Sequence, residues 1–299
     1  MSFATGLKTI VVATDLDGHS EAALEYARKL AGAYGARMIL AYGLDPLDYA
    51  AVENVPGRIR KAMPEEARSV LDRMTADLMR EGIHTHSEIR QGAVTQMLID
   101  VARQYEAGLI VLGTEGREGA GPVVVGAIAE QLARLAPCPV LAVAADWNAG
   151  AFRPSPGGPV LLAVEQNEAT PAAVATASSL ARIFKRTLVV LHARRSAEAS
   201  AFLNPRATTL KQFGIRETGD FPIRCVVKDG PPEHAMANAV SQYQPCVLVV
   251  GIKRNSGTAG PHGTAFSLLA RSRVPVLCVP PDDNAMPPEH EICTSSSVA

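Results

Sequence analysis

The sequence contains two copies of one pattern, and this repeat is its strongest constraint on the fold. An ungapped offset of 150 residues pairs residues of like character: Ile10 with Val160, Asp15 with Glu165, Ala27 with Ala177, Leu30 with Leu180 and Leu40 with Val190. A second ungapped block, at an offset of 138 residues, pairs Gly92 with Gly230, Tyr105 with Tyr243 and Gly113 with Gly251. An internal duplication is the simplest explanation, so the chain should fold as two similar domains.

Segments typical of strands and helices alternate along the first copy. A β-branched run from Lys8 to Thr14 predicts a strand, and Ser20 then caps a helix with apolar residues at helical spacing. Gly35 is expected to end this helix. The later segments follow the same alternation: a strand over Arg37 to Gly43, a helix from Pro64 to near Gly82, a strand over His84 to Arg90, a helix from Ala93 to Tyr105 and a strand over Leu109 to Leu112.

Each copy therefore predicts five strands and four helices. The short crossovers indicate parallel strands, because β-α-β connections are right-handed and return the chain in the same direction. The sequence predicts an α/β fold with two tandem flavodoxin-like, HUP-type domains, each a five-stranded parallel sheet in the order 3-2-1-4-5 with helices on both faces. Strand order reverses between the first and fourth strands, so Asp15 and Gly113 should converge on a ligand-binding crevice.

Composition indicates where the domains meet. Residues 146–159, DWNAGAFRPSPGGP, are rich in Pro and Gly, which predicts a linker over 147–158 between domain 1 (1–146) and domain 2 (159–280). The tail 281–299 is acidic and rich in Pro, so it is expected to be mobile. The turn-rich excursion 45–63 either covers the site or packs elsewhere, and the sequence does not decide between these.

Charge and hydropathy exclude several classes of partner. The formal net charge of -1 and the pI near 6.7 give no electrostatic basis for binding nucleic acid or an anionic membrane surface. The N-terminus lacks the pattern of a secretory signal, and no apolar run approaches the ~20 residues that a membrane span needs. The protein is therefore expected in the cytoplasm.

Cysteine and histidine residues give no support for disulfides or a metal site. The cysteines are odd in number and form no C-x-x-C pair, so they are interpreted as small buried apolar residues: Cys138, Cys225, Cys246, Cys278 and Cys293. His84 and His86 are two residues apart on one strand, but no further zinc ligands are visible nearby. A solvated edge strand explains this pair.

The segment around residues 109–143 carries the strongest functional pattern. An apolar strand ends on Gly113, a glycine-rich loop follows, and a helix is predicted to begin just after Gly126 with Ile128, Leu132 and Leu135 on one face. Loop amides and a helix N-terminus together bind phosphate without a dedicated cation. A nucleotide is therefore the predicted ligand.

The spacing Gly113-x2-Gly116-x9-Gly126, with a small residue after it and a strand starting at Pro139, resembles the ATP-binding signature of the universal stress protein family. The resemblance covers nearly the whole chain to Val279. It implies a tandem universal stress protein, active in the stress response, that binds an adenine nucleotide.

The resemblance also implies roles for particular residues. In the family, the acid that ends the first strand and a residue that ends the second line the adenosine pocket, while loop glycines and the hydroxyl residue after them hold the phosphates. ATP, with or without magnesium, would contact Ala13, Asp15, Gly43, Leu112, Gly113, Gly116, Arg117, Gly126 and Ala127. A weaker second site would use Glu165, Gly251, Gly263 and Thr264. The last strands of the two domains, Val140–Val143 and Val276–Val279, would pair as an internal dimer, and association into a homodimer stays open.

Both loops depart from the family pattern. Ala127 lacks the expected hydroxyl, and one lost hydrogen bond lowers affinity about tenfold or less. Glu115 and Glu118 flank Gly116 and would repel a triphosphate if they pointed inward, although magnesium could bridge them. In the second loop Arg254 replaces the middle glycine, which removes the backbone freedom that lets a phosphate approach.

Three functions stay open from the sequence alone. The first is a regulatory protein that binds ATP without efficient turnover, because no pair of nucleophile and base is visible. The second is a structural or partner-binding scaffold in which substitutions such as Ala127 and Arg254 have eroded the sites. The third is a magnesium-dependent phosphatase, because Asp15-Leu-Asp17 resembles the first motif of haloacid dehalogenase-type phosphatases.

Overall fold

The computed structural model describes residues 6–16, 20–44, 57–114, 121–145, 147, 157–165, 167–194, 205–253 and 274–282. The first half of the chain forms β1 (Thr9–Ala13), α1 (Glu21–Tyr34), β2 (Arg37–Leu44), α2 (Gly57–Arg80), β3 (Thr85–Gln91), α3 (Val94–Gln104), β4 (Leu109–Gly113), α4 (Gly121–Leu135) and β5 (Val140–Val143). The second half forms β6 (Val160–Val164), α5 (Thr170–Ile183), β7 (Leu188–Arg194), α6 (Pro205–Gln212), β8 (Ile223–Asp229), α7 (Pro232–Tyr243), β9 (Val247–Gly251) and β10 (Val276–Val279).

All of these strands belong to one sheet with the order β3-β2-β1-β4-β5-β10-β9-β6-β7-β8. Each half has the order 3-2-1-4-5, counted within its own domain, and its strands pair in parallel. The predicted α/β fold of two flavodoxin-like domains is therefore confirmed. The strand β10 pairs with β5 in the antiparallel direction, which places the junction of the halves at the centre of the sheet.

The repeat in the sequence is also a repeat in the structure. Strands β3 and β8 occupy Thr85–Gln91 and Ile223–Asp229, which are 138 residues apart at both ends. Strands β4 and β9 have the same offset. The first half contains the four helices that were predicted, whereas the stretch between β9 and β10 that would hold the fourth helix of the second half lies outside the described residues.

Helices cover both faces of the sheet, because strand residues alternate between two buried layers. Ile10 and Val12 of β1 belong to the layer beneath α1, α2, α5 and α6, which we call the first face. Val11 belongs to the layer beneath α3, α4 and α7, the second face. Each layer contains residues from both halves, so the halves share the core on both faces of the sheet.

Side chains also join the two halves away from the central strands. The buried Tyr26 hydroxyl on α1 donates a hydrogen bond to the Cys246 carbonyl oxygen at 3.3 Å, and the Tyr26 ring packs on Trp147 with centroids 5.0 Å apart. At the end of α1, the Tyr34 hydroxyl lies 3.0 Å from Ser179 Oγ on α5. The predicted internal dimer is thus a continuous interface that includes α1.

Three predictions about helices need correction. The helix α2 begins at Gly57, not at Pro64, so the proline lies inside the helix. Leu135 is 60% exposed, and α4 instead buries Ala129, Leu132 and Ala133. Ser20 lies at the N-cap of α1 as predicted, but its side chain makes no capping hydrogen bond. The predicted end of α1 is confirmed, because Gly35 adopts the left-handed conformation with φ 65°.

Three of the five cysteines are buried apolar residues, as predicted, but Cys225 is only half-buried, contrary to the prediction, and Cys293 lies outside the described residues. The low reactivity of the buried three can be tested. Burial raises the pKa of Cys138 to about 12 and of Cys246 to about 11, and it also raises the pKa of Cys278. The thiolate is the reactive form, so iodoacetamide at pH 8 should label these three only as fast as the fold opens. Half-buried Cys225 should react first among the four cysteines that the structure describes. Peptide mass mapping over time measures the order, and equal rates for Cys225 and Cys278 would contradict it.

Candidate functional site

The crevice of the first domain lies where the sheet reverses its strand order. Strand β1 pairs with β2 on one side and β4 on the other, and Val12 lies opposite Val111 of β4. The carboxyl ends of β1 and β4 therefore lie side by side. Their last residues, Ala13 and Gly113, are both half-buried. Leu112, which precedes Gly113, is buried in the second face. Ligands bind in crevices of this kind because no connection crosses them.

Asp15 lies two residues beyond β1, at the mouth of this crevice, and a serine holds its side chain. The Ser20 hydroxyl donates a hydrogen bond to Asp15 Oδ1 at 2.8 Å. Ser20 Oγ also accepts the Asp15 backbone N–H at 3.3 Å and lies 3.2 Å from Thr14 Oγ1. Thr14 itself is buried, and its N–H extends the β1–β2 pairing by donating to the Ala41 carbonyl oxygen. The acid is therefore oriented by neighbours that are anchored to the sheet.

The residue after Asp15 has an unusual backbone conformation. Leu16 has φ 62°, in the left-handed region that bulky residues rarely adopt. Its N–H donates to Thr14 Oγ1 at 3.2 Å, and its side chain packs against the first-face core. Strained backbone of this kind persists only where surrounding contacts determine it.

The predicted site residue Gly43 has a packing explanation. Strand β2 continues past it to Leu44, so Gly43 is not the last residue of the strand. A Cβ at this position would lie 3.1 Å from both Met97 Cε and Val94 Cγ2 on α3. Close contact between helix α3 and β2 therefore accounts for a glycine here, whether or not a ligand is bound nearby.

The glycine-rich loop is described only at its ends. Helix α4 begins at Gly121, so the predicted start just after Gly126 is wrong, and Gly126 and Ala127 both lie within the helix. Gly116 and Arg117 lie outside the described residues. The N-terminus of α4 is therefore closer in sequence to β4 than was expected, and its first amides belong to the turn that starts at Gly121.

The crevice of the second domain is arranged differently. The Glu165 side chain is exposed, and the Thr170 hydroxyl, at the position equivalent to Ser20, donates to the Glu165 backbone carbonyl oxygen and not to its carboxylate. A Cβ on Gly251 would lie 3.1 Å from the Cβ of Ala169, which is fully buried. The loop before α5 thus fills the space over β9. Gly263 and Thr264 lie outside the described residues, as does Arg254.

Sequence reasoning missed the partnership between Ser20 and Asp15. Ser20 was interpreted as a helix cap, which is the common role of a serine at this position. Only the folded loop shows that the hydroxyl faces back to the acid five residues earlier.

Histidine and metal chemistry contribute little to the described part of the site. Among the residues that the structure describes, no group of three or more His, Cys, Asp or Glu side chains is placed to hold a metal ion. The His86 side chain is 60% exposed on the outermost strand β3 and lies 3.5 Å from Glu88, as a solvated edge strand predicts. Across the same described ranges, no helix is long and apolar enough to span a membrane.

The fold and its two crevices define a duplicated α/β protein of the flavodoxin-like type. The profile of the universal stress protein family matches residues 6–144 and 158–280, which together are most of the chain. The chain therefore belongs to the universal stress protein family, with two such domains in tandem.

Individual relatives agree with this assignment. A universal stress protein of Methanocaldococcus jannaschii is 28% identical over 138 residues, which are 46% of this chain and 81% of that protein. One from Thermus aquaticus is 29% identical over 141 residues, 46% of this chain and 98% of that protein. The crystal structure of a universal stress protein from Archaeoglobus fulgidus has a TM-score of 0.72 at 16% identity and covers 92% of this chain and 98% of its own. At that identity, the likeness supports the fold alone.

Proposed function

We propose that this protein binds an adenine nucleotide, ATP, in the crevice of domain 1 and acts in the cytoplasm as a regulator of the stress response without efficient turnover. The observation that carries the proposal is the oriented carboxylate of Asp15 at the point where strand order reverses. A fixed acceptor at this position suits the hydroxyl or amino donors of a nucleoside. Membership of the universal stress protein family supports the same ligand class.

Each part of the nucleotide has candidate contacts. The adenosine pocket is proposed to include residues that β1, β2 and β4 bring towards the carboxyl-terminal end of the sheet: Ala13, Asp15, Gly43 and Leu112. Gly113, Gly116, Arg117, Gly126 and Ala127 are proposed for the phosphate side. The first turn of α4 adds a helix N-terminus, which favours an anion. Magnesium would contribute positive charge between the phosphates and the two glutamates that flank Gly116 in the sequence, Glu115 and Glu118.

The second crevice is proposed as a weaker site or a structural copy. Glu165, Gly251, Gly263 and Thr264 are the equivalent residues, but the acid is turned to solvent and Ala169 packs over Gly251. A ligand at this place would have to displace a fully buried residue. Domain 1 is therefore expected to hold most of the nucleotide.

Nucleotide content tests the proposal directly. One sample of freshly purified protein is denatured directly, and a second is denatured after incubation with ATP. Each should release close to one adenine nucleotide per chain, measured on an anion-exchange column. Gly116→Arg should lower this content at least about tenfold, because a long cationic side chain in the loop removes the space and backbone freedom that a phosphate needs. Arg254→Gly is the matched variant in the second loop, and it should leave the content of the first site unchanged.

Other outcomes would select the alternatives. A wild-type protein that takes up no nucleotide at millimolar ATP would overturn the proposal and favour the partner-binding scaffold. Magnesium-dependent phosphatase activity that Asp15→Asn abolishes would favour the enzyme. Asp17, the second acid of that motif, lies outside the described residues.

A further inference from the structure

We infer that Ser20 is a positioning residue for the ligand of domain 1, acting through Asp15 by a directed chain of hydrogen bonds. The inference rests on the proposed function and adds a residue that the glycine signature does not contain. Ser20 lies at the start of α1, five residues beyond the acid that it contacts.

The hydrogen bonds around Ser20 have only one consistent direction. A carboxylate only accepts, so the single Ser20 hydroxyl proton is donated to Asp15 Oδ1. The Thr14 hydroxyl must then be the donor in its 3.2 Å contact with Ser20 Oγ. Thr14 Oγ1 in turn accepts the Leu16 N–H. The chain therefore runs from the Leu16 amide through two hydroxyls to the carboxylate, and Ser20 Oγ uses its one donor and both acceptor positions.

This arrangement fixes the loop as well as the acid. The Leu16 amide donates to Thr14 Oγ1, while Leu16 itself adopts the left-handed backbone conformation and its side chain is held against the core. Ser20 also receives the Asp15 backbone N–H, so both the main chain and the side chain of Asp15 are tied to one oxygen. An acid that is held in this way loses little conformational freedom when a ligand binds, which improves affinity.

The hydroxyl of Ser20 is not needed for the helix itself. It makes no capping hydrogen bond to the first amides of α1, which is the ordinary structural use of a serine at this position. Its backbone carbonyl oxygen accepts the first helical bond from Leu24 N, and any residue can provide that oxygen. The side chain is therefore directed towards Asp15 and not towards helix stability.

The second domain offers an internal comparison. Thr170 stands at the position of Ser20, Val164 at that of Thr14 and Glu165 at that of Asp15. Val164 has no hydroxyl that could donate a hydrogen bond, and the Thr170 hydroxyl donates to the Glu165 backbone carbonyl oxygen and not to the carboxylate. The Glu165 side chain is exposed to solvent. The two halves share the fold, but only the first has the chain of hydroxyls that ends on a carboxylate.

A double-mutant cycle on ATP affinity, measured by titration calorimetry, tests the inference. Ser20→Ala should raise the Kd about tenfold, whereas Ser20→Thr, which keeps the hydroxyl, should stay within about threefold of wild type. In an Asp15→Ala background, Ser20→Ala should change the Kd by less than about twofold, because the residue through which it acts is gone. The unfolding temperature of Ser20→Ala should remain close to that of wild type.

Thr170→Ala is the matched control, since it removes a hydroxyl at the equivalent position of the other domain and should leave the Kd of the first site unchanged. If the wild type binds ATP and the Ser20→Ala variant binds it equally well, the positioning role of Ser20 is overturned, while the proposed function stands. Equal losses in the Asp15 and Asp15→Ala backgrounds would also overturn it, since Ser20 would then act independently of the acid. A wild type without nucleotide overturns the proposed function first, and the role of Ser20 with it.

Discussion

Gly158→Ala is expected to destabilise the protein by about 3 kcal/mol or more, the upper range for forcing an atom into a packed site. A Cβ at Gly158 would lie 1.7 Å from the Gln244 carbonyl oxygen and 2.9 Å from Pro245 Cα. These are backbone atoms at the end of α7, so no side-chain rotation can relieve the overlap. The neighbouring Pro159 carbonyl oxygen accepts the Cys246 N–H, and this pairing would have to break for the chain to move. Thermal unfolding should shift down by roughly 5 °C.

Gly32→Ala is the matched control for this prediction. Gly32 lies inside α1, and a Cβ there would meet nothing within 4 Å. Alanine favours helix over glycine by about 0.5–1 kcal/mol, so this variant should be as stable as wild type or slightly more stable. If the two variants unfold at the same temperature, close packing at Gly158 is not the reason for the glycine.

Much of the fold follows from the repeat and from local patterns. The offsets that align Gly92 with Gly230 and Gly113 with Gly251 also align strands β3 with β8 and β4 with β9, because a duplicated sequence preserves both element lengths and register. The strand order was predictable because short right-handed crossovers leave few topologies. The pairing of β5 with β10 came from the family resemblance, since nothing within either strand indicates its partner across the junction, and the structure adds that the pairing is antiparallel.

Helix boundaries and buried stripes were less predictable. Ile128, Leu132 and Leu135 have helical spacing, but α4 buries Ala129 and Ala133 with Leu132 instead. A pattern of large apolar residues overlooks alanines, which are the residues that let a helix approach its neighbours closely. The early start of α4 at Gly121 is similar, because the intervening glycine and valines give no clear boundary.

The candidate site was predictable in outline only. The strands β1 and β4 pair as the topology required, which places Asp15 just beyond the carboxyl end of β1 and Gly113 at the end of its neighbour β4. The role of Ser20 was hidden, because helix capping and contact with the acid need the same residue type at the same position. The difference between the two crevices depends on Ala169, whose contact with Gly251 joins residues far apart in the sequence.

Leu277→Asp is expected to give the second large effect, because it places a charge in the shared core at the junction of the halves. Leu277 on β10 lies opposite Leu141 on β5, and they are 2% and 1% exposed. A buried carboxylate without a partner, together with the lost apolar contact, should destabilise the junction by more than about 4 kcal/mol. The wild type should unfold in a single transition, since both core layers include residues of the two halves. In the variant, the transitions of the two domains should separate in calorimetry.

The exposed Leu135 offers the same chemical change without the burial. Leu135→Asp should alter stability by less than about 0.5 kcal/mol, because this side chain is 60% exposed at the end of α4. An opened junction would also expose the edges of β5 and β10, which are paired in the native sheet, so Leu277→Asp should self-associate at high concentration while Leu135→Asp stays like wild type. Two separate transitions already in the wild type would mean that the continuous sheet does not couple the domains. In that case the Tyr26 and Tyr34 contacts on α1 would only position the second domain and would not stabilise the first.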